Sequence, residues 1–304
     1  MSVVVAVVGP TAVGKSRLGA LLARTFNGEI VSADSRQVYR YMDIGTAKPT
    51  AEERSVVPHH LIDVVDPDAE FSVALYQSLA MEAISEVTRH GRLPILIGGS
   101  GLYVWSLVEG WEIPRVEPDA GFRKRLEEKA AVEGAKSLYR ELERIDQKTA
   151  ASIDPRNVRR VIRALEIHHT NHGVGPPSRR KKRPPFETLI VGLTAERRRL
   201  YQMIDRRVDR MVDEGLVEEV KGLLGRGYGP DLPAMSSVGY KEICQFISGR
   251  MDMTTAMQRI KFETHRFARH QYAWFRLNDA RIRWFDVDDQ AEASVLKTIG
   301  EALK

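Results

Sequence analysis

The run Gly9-Pro10-Thr11-Ala12-Val13-Gly14-Lys15-Ser16 fits the pattern G-x-x-x-x-G-K-[ST]. Residues of these types at this spacing build a phosphate cradle. The glycines let successive backbone N–H groups converge on a phosphate chain, Lys15 adds a point charge, and the Ser16 hydroxyl can be offered to Mg2+. The motif does not choose between ATP, another nucleotide and some other diphosphate. A second group narrows the chemistry. Nucleotide hydrolases of this kind carry an apolar strand ending in an acid that reaches the metal. Here Leu93–Ile97 runs instead into Gly98-Gly99-Ser100-Gly101, and the strand that ends in an acid is Ile30-Val31-Ser32-Ala33-Asp34. Asp34 arrives one helix after the cradle, where it could serve a metal or an incoming nucleophile. An isolated Asp before Ser35-Arg36 could equally cap a turn.

These groups need elements to hold them. Val3–Val8 is a continuous β-branched apolar run, as expected of a strand buried on both faces of a parallel sheet. The pattern after Ser16 is helical, Glu29–Ala33 and Leu93–Ile97 are further strands, and Ser72–Arg89 between them is a long amphipathic helix stopped by Gly91. This alternation predicts an α/β fold, a P-loop NTPase-like parallel sheet flanked by helices, with ligands at the carboxyl ends of its strands. From Pro118 to His172 only helical patterns occur: Phe122–Val132, Ala135–Arg144 and Arg156–His169. An apolar strand resumes at Thr188–Leu193, followed by helices expected over Leu200–Arg226 and Thr254–Phe275 and a last strand at Ile282–Val287. The domain organisation expected is a first core segment at 1–114, an inserted all-helical domain at 115–187 and a second core segment at 188–304.

Composition excludes several classes. With 304 residues, 43% hydrophobic and 29% charged, the chain can bury a full core without cross-links. Its single cysteine, Cys244, leaves no intramolecular disulfide and no multi-cysteine metal site. The longest apolar run is too short to span a membrane and lacks the basic leader of a signal peptide, which points to a cytoplasmic protein with no membrane partner. The net charge is +5, and its distribution is uneven. Pro114–Arg199 holds 21 Lys+Arg against 12 Asp+Glu, a net of +9, while the rest of the chain carries −4. Five consecutive cations, Arg179-Arg180-Lys181-Lys182-Arg183, repel one another unless screened, and a nucleic-acid backbone is the natural partner.

A series of motifs follows the cradle in order: Ser32–Tyr39 (SADSRQVY), Met42–Pro49 (MDIGTAKP), His59–Asp63 (HHLID), Gly98–Tyr103 (GGSGLY), Arg159–Glu166 (RRVIRALE) and Val238–Glu242 (VGYKE). Together with the cradle they closely resemble the bacterial tRNA dimethylallyltransferase (tRNA isopentenyltransferase) family, from the first strand to about Arg276. The resemblance implies transfer of the dimethylallyl group of dimethylallyl diphosphate to N6 of the adenine immediately 3′ of the anticodon, in tRNAs reading codons that begin with uridine. It implies that Gly9–Ser16 holds the leaving pyrophosphate rather than ATP, that Asp34 accepts the proton of the attacking amine, and that Lys15, Arg207 and Mg2+, the last on Ser16, meet the departing charge. Ser100 stands where the family usually has Thr and keeps the hydroxyl, which the resemblance places in the catalytic set, able to touch the bridging oxygen of the diphosphate. The partner implied is the tRNA anticodon stem-loop, held by Asp34, Ser35, Arg36, Gln37, Ser100 and Arg123 and by Arg159-Arg160-Val161-Ile162-Arg163, with the enzyme a monomer. One pattern departs from the family. Thr264–Gln271 reads THRFARHQ where Thr-Arg-x-Tyr-Ala-Lys-Arg-Gln is usual, placing His265 and His270 at two arginine positions. His59-His60, without cysteine partners, is expected to organise a loop. The other readings of a P-loop beside a cationic insertion are an adenylate isopentenyltransferase acting on free nucleotide and a P-loop small-molecule kinase.

Overall fold

The structure is a computed structural model that describes residues 2–114, 116, 118–170 and 181–304. Two compact units result, one formed by residues 1–110 with 183–304 and the other by 111–182. The division falls a few residues before the boundaries read from the sequence, because Phe186 already pairs with Ser2 in the sheet.

The first unit is built on a six-stranded, all-parallel sheet in the order β3-β2-β4-β1-β5-β6. Its strands are β1 Ser2–Val8, β2 Gly28–Ser32, β3 His59–His60, β4 Leu93–Ile97, β5 Phe186–Thr194 and β6 Ile282–Asp286. Val4 to Val8 are 0% exposed, so β1 is covered on both faces, as its unbroken apolar run requires. The helices are α1 Lys15–Thr25, α2 Ala51–Val56, α3 Val73–Arg89 and α4 Gly101–Val108, and, after the second unit, α9 Arg197–Asp213, α10 Leu216–Gly225, α11 Tyr240–Ile247, α12 Met253–Trp274 and α13 Ala291–Ala302. Gly19 of α1 lets that helix close on the sheet: a Cβ there would lie 1.8 Å from Ile97 Cδ1.

Two expectations are corrected. The single helix expected over Leu200–Arg226 is two, α9 and α10, because Gly215 takes φ +103° and ends the first. His59-His60 is not a loop but an edge strand parallel to β2, with His60 Nε2 2.6 Å from the Glu29 carboxylate.

The second unit is helical: α5 Ala120–Glu133, α6 Ala135–Ile145, α7 Gln147–Ala150 and α8 Val158–Thr170. Leu126, Leu138, Leu142, Ala150, Val161, Ile162, Ala164 and Leu165 form its own apolar core. No described helix is long and apolar enough to cross a membrane.

Candidate active site at the strand carboxyl ends

Three neighbouring strands, β1, β4 and β2, end side by side, and each hands the chain to a segment bearing chemistry. After β1, Gly9 (φ +135°), Ala12 (φ +69°) and Gly14 (φ +89°) alternate with ordinary residues, a curl that turns backbone N–H groups to one side. Gly9 has to be glycine, since a Cβ would sit 2.2 Å from the Leu193 carbonyl oxygen at the end of β5. Ala12 holds a left-handed conformation without being glycine, the kind of local strain that persists only where the surroundings enforce it. Helix α1 begins at Gly14 with no side-chain cap, so its first-turn N–H groups remain available to an anion.

Lys15 Nζ donates to the Pro10 carbonyl at 2.6 Å. Burial, and then the neighbouring Arg207 guanidinium, press its pKa down from 10.5 to about 7, with Asp34 working in the opposite direction. Arg207, half-buried on α9, is also held below its usual range, first by burial, and it makes no hydrogen bond among the described residues. Arg206 and Arg210 on either side are exposed. Two desolvated cations with one nearby carboxylate form a site that favours an anion of more than one charge.

Asp34 follows β2. Its Oδ1 accepts the Arg36 N–H at 2.8 Å, so the turn-capping role is present, and its other oxygen has no hydrogen-bond partner among the described residues. The carboxylate's field reaches Lys15, Arg207, Tyr76 and Tyr103. The two tyrosines stack at 3.8 Å, both held above the usual phenol range, first by burial. Ser100, at the end of β4, accepts the Ser35 N–H on Oγ at 3.0 Å and thereby ties the β4 turn to the β2 loop. The turn can lie this close because Gly98 is a glycine: a Cβ would meet the Ala33 carbonyl oxygen at 2.1 Å.

The Asp34–Gln37 loop is braced throughout. Arg36 Nη1 donates to the Pro233 carbonyl at 2.9 Å. Gln37 Oε1 accepts from the Ser32 hydroxyl, and its Nε2 donates to the carbonyls of Thr46 and Ala47. Sequence reasoning assigned no role to the residues that fix the following loop. Lys48, its side chain 1% exposed, donates to Tyr39 O, Asp43 Oδ1 and Asp63 Oδ1 at 2.5–2.7 Å. Glu219 of α10 accepts three successive N–H groups, from Asp43, Ile44 and Gly45, and the Tyr240 hydroxyl. The signal for Lys48 was a lone cation inside an otherwise turn-like segment, whereas Glu219 on α10 gave none.

In the helical unit the expected RNA-facing residues separate. Val161 (0% exposed) and Ile162 (4%) belong to the core of that unit. Arg123 and Arg163 both donate to Glu166, which is 1% exposed and also accepts the Asp119 N–H at 2.8 Å. Burial acts to raise the Glu166 pKa, but these hydrogen bonds outweigh it and hold the carboxyl below its usual range. Arg159 and Arg160 are exposed and form no ion pair among the described residues. Of the cation run, Arg179 and Arg180 lie outside the described residues, and Lys181 and Lys182 are exposed. His265 faces inward: its ring stacks on Tyr201 at 4.0 Å and its Nε2 lies 2.9 Å from Asp205 Oδ1, whereas His270 is exposed.

Among the described residues no cluster of His, Cys, Asp and Glu is disposed to cage a metal ion. The residues present suit a divalent cation held in another way. The Ser16 hydroxyl is exposed at the head of α1, as suits a hard cation that keeps its waters and takes its remaining oxygens from a bound diphosphate.

The family model described as IPP transferase matches residues 37–278. The chain is 52% identical over 272 residues to the tRNA dimethylallyltransferase of Roseiflexus sp. (strain RS-1), covering 90% of this chain and 89% of that protein. It superposes on the crystal structure of the full-length tRNA isopentenylpyrophosphate transferase of Bacillus halodurans with a TM-score of 0.73 and 43% identity, over 99% of this chain and 96% of that one. A eukaryotic dimethylallyltransferase described as acting on tRNA gives a TM-score of 0.80 at 26% identity, over 98% and 78%. A phosphate cradle, an acid on the neighbouring strand end and relatives of this similarity over nearly the whole chain have one meaning: the chain belongs to the IPP transferase family, the tRNA dimethylallyltransferases.

Proposed function

We propose that the protein transfers the dimethylallyl group of dimethylallyl diphosphate to the exocyclic N6 of the adenine 3′ of the anticodon, in tRNAs reading codons that begin with uridine. The observation that carries this reading is the juxtaposition of two desolvated cations, Lys15 and Arg207, with the carboxylate of Asp34. A diphosphate satisfies the cations, and a carboxylate beside them is placed to receive a proton rather than to hold a phosphate.

An exocyclic amine is a weak nucleophile because its lone pair is delocalised into the ring. In the step proposed, the N6 lone pair forms a bond to C1 of the dimethylallyl group. The C1–O bond breaks, its electron pair leaves with pyrophosphate, and an N6 proton passes to Asp34. Charge grows on the diphosphate as it departs, so Lys15, Arg207 and the N–H groups of Gly9–Ser16 stabilise the transition state more than the ground state. Mg2+, held through Ser16 and the diphosphate, would supply further positive charge at the leaving group. Ser100 keeps the Asp34 loop in register through the Ser35 N–H. The adenine must leave its stack to reach Asp34, so extrusion of the base is part of the reading. Phosphate contacts fall to Arg159, Arg160, Lys181 and Lys182, which are among the exposed cations of the helical unit.

The test is incubation with dimethylallyl diphosphate and Mg2+ in the presence of unmodified tRNA or of AMP, with ATP as a third arm. Prenylated tRNA and released pyrophosphate are expected, without ATP. Product on AMP alone, or phosphorylation that requires ATP with no prenylation, would overturn the assignment.

A further inference from the structure

Helix α12 carries a polar side chain where its apolar stripe continues. Its buried positions are Ala256, Ile260, Ala268 and Gln271, and Gln271 is 4% exposed. A buried amide needs partners on both its ends. Gln271 finds them on two different pieces of the active site. Oε1 accepts the Thr11 N–H at 2.8 Å, and Nε2 donates to the Gly99 carbonyl at 3.0 Å. The amide orientation is dictated by chemistry, since turning it over would set donor against donor and acceptor against acceptor.

We propose that Gln271 is a positioning residue for dimethylallyl transfer, clamping the crest of the phosphate loop to the turn that bears Ser100; this rests on the function proposed above. Thr11 stands next to Ala12, the residue held at φ +69° without being glycine. A left-handed alanine reverts to an ordinary conformation unless its neighbours fix it. Gln271 pins Thr11 on one side of Ala12 and helix α1 holds the chain from Gly14 on the other, so Ala12 is trapped between two anchors, with Gly9 packed against Leu193 at the foot of the loop. The curl of N–H groups toward an anion depends on that trapped conformation. The same amide fixes Gly99, one residue before the hydroxyl that ties Ser35 and, through it, the Asp34 loop. One side chain therefore sets the spacing between the group that receives the diphosphate and the group that receives the proton.

The glycines of the β4 turn bear the imprint of this clamp. At Gly99 a Cβ would lie 2.0 Å from Gln271 Nε2, while its next contacts outside Gln271 begin at 3.5 Å, on the Gly9 carbonyl oxygen. At Gly101 a Cβ would lie 2.2 Å from Cγ of Trp274, one turn further along α12. The Trp274 carbonyl accepts the Trp105 indole N–H at 3.0 Å, which fastens the end of α12 to α4. Position 99 is thus small on account of Gln271 in particular, and that makes the proposal separable from general packing.

The experiment is a double-mutant cycle on the full chain, read by calorimetric affinity for inorganic pyrophosphate with Mg2+ and by the KM of each substrate. Gln271→Ala is expected to weaken pyrophosphate and to raise the KM for dimethylallyl diphosphate by about tenfold, the worth of one or two buried hydrogen bonds, with the KM for tRNA unchanged. Gly99→Ala in the parent is expected to do the same, because its methyl displaces the amide. In the Gln271→Ala background, Gly99→Ala should add no further loss, since the atoms it strikes are gone. Equal and independent costs of Gly99→Ala in both backgrounds would overturn the clamp, as would pyrophosphate affinity within twofold of the parent in a folded Gln271→Ala protein. If Gln271→Ala does not fold, unaltered pyrophosphate affinity in Gly99→Ala alone overturns it. A parent enzyme that binds pyrophosphate but prenylates no tRNA would instead defeat the proposed function and leave the cycle readable.

Discussion

Substitution of Lys15 by methionine separates the charge of that residue from its bulk, and the structure fixes how the result should depend on pH. In the empty site burial and Arg207 leave Lys15 with a pKa of about 7. A bound diphosphate brings several negative charges to the ammonium and restores its proton. Binding therefore takes up a proton wherever the free site has lost it. Free Lys15 is half protonated near pH 7, about one-tenth at pH 8 and about one-hundredth at pH 9, so affinity should fall about tenfold per unit above neutrality. The diphosphate's own ionisation is common to both proteins and cancels in the comparison. Affinity for dimethylallyl diphosphate should thus differ most between parent and Lys15→Met near pH 6, by about one to two orders of magnitude, and converge towards pH 9. Titration calorimetry in buffers of different ionisation enthalpy reads the proton directly: about half a proton at pH 7 and nearly one at pH 8 in the parent, and that increment missing in the variant. Curves that stay parallel from pH 6 to 9 would refute a neutralised lysine. Stability follows the same linkage with its sign worked through. The unfolded chain holds the proton up to about 10.5 and the folded one only to about 7. The unfolded state therefore binds more protons between these values, and Lys15 makes the empty protein more stable as pH rises through that window.

Much of the candidate site was legible because the chemistry proposed for it is tied to local sequence. The cradle needs glycines at fixed positions next to a buried strand, and the run Val3–Val8 followed by Gly9–Ser16 displays both at once. Asp34 stood out as the acid at a strand end, and Arg207 through the family pattern. What stayed hidden is long-range. Gln271 lies 260 residues from Thr11 and 172 from Gly99, and no local pattern reports that a helix near the end of the chain touches the first loop. The glycines at 98, 99 and 101 stand in a motif whose sequence does not say what they face, and each faces a specific obstacle: Ala33, Gln271 and Trp274. The Arg159–Arg163 segment misled for the opposite reason. Its residues look like one basic patch in sequence, but helical geometry turns Val161 and Ile162 into the core, and the buried Glu166 takes Arg163 as a partner. The break at Gly215 was missed because apolar periodicity continues through it on both sides, in Val208 and Met211 and then Leu216 and Val220.

Asp34→Asn should retain binding of both substrates and lose about two to four orders of magnitude in the single-turnover rate, the usual worth of a general base; a near-parental rate would reduce Asp34 to the turn cap that its bond to Arg36 N–H also makes it. The cations of the helical unit divide into two kinds, and one experiment distinguishes them. Arg159 and Arg160 are exposed and form no ion pair among the described residues, so their replacement by alanine should leave the thermal midpoint nearly unchanged. If each meets one phosphate, the double variant lowers the slope of log affinity for tRNA against log salt by about 1.4 to 1.8. Arg163→Ala acts elsewhere. It leaves the buried Glu166 with one guanidinium, from Arg123, in place of two, and breaking a buried ion pair costs about 3–5 kcal/mol. Part of that is returned here, because Arg123 and the Asp119 N–H still hold the carboxylate and Arg163 itself is half-exposed. The expected result is a lowered unfolding midpoint in urea, with affinity for tRNA falling only as far as the folded fraction falls. Glu166→Leu with Arg123→Met and Arg163→Met, which removes the buried carboxylate along with both guanidiniums, should recover part of the lost stability. An Arg163→Ala protein with parental stability and a reduced salt slope would reverse the division and make Arg163 a phosphate contact.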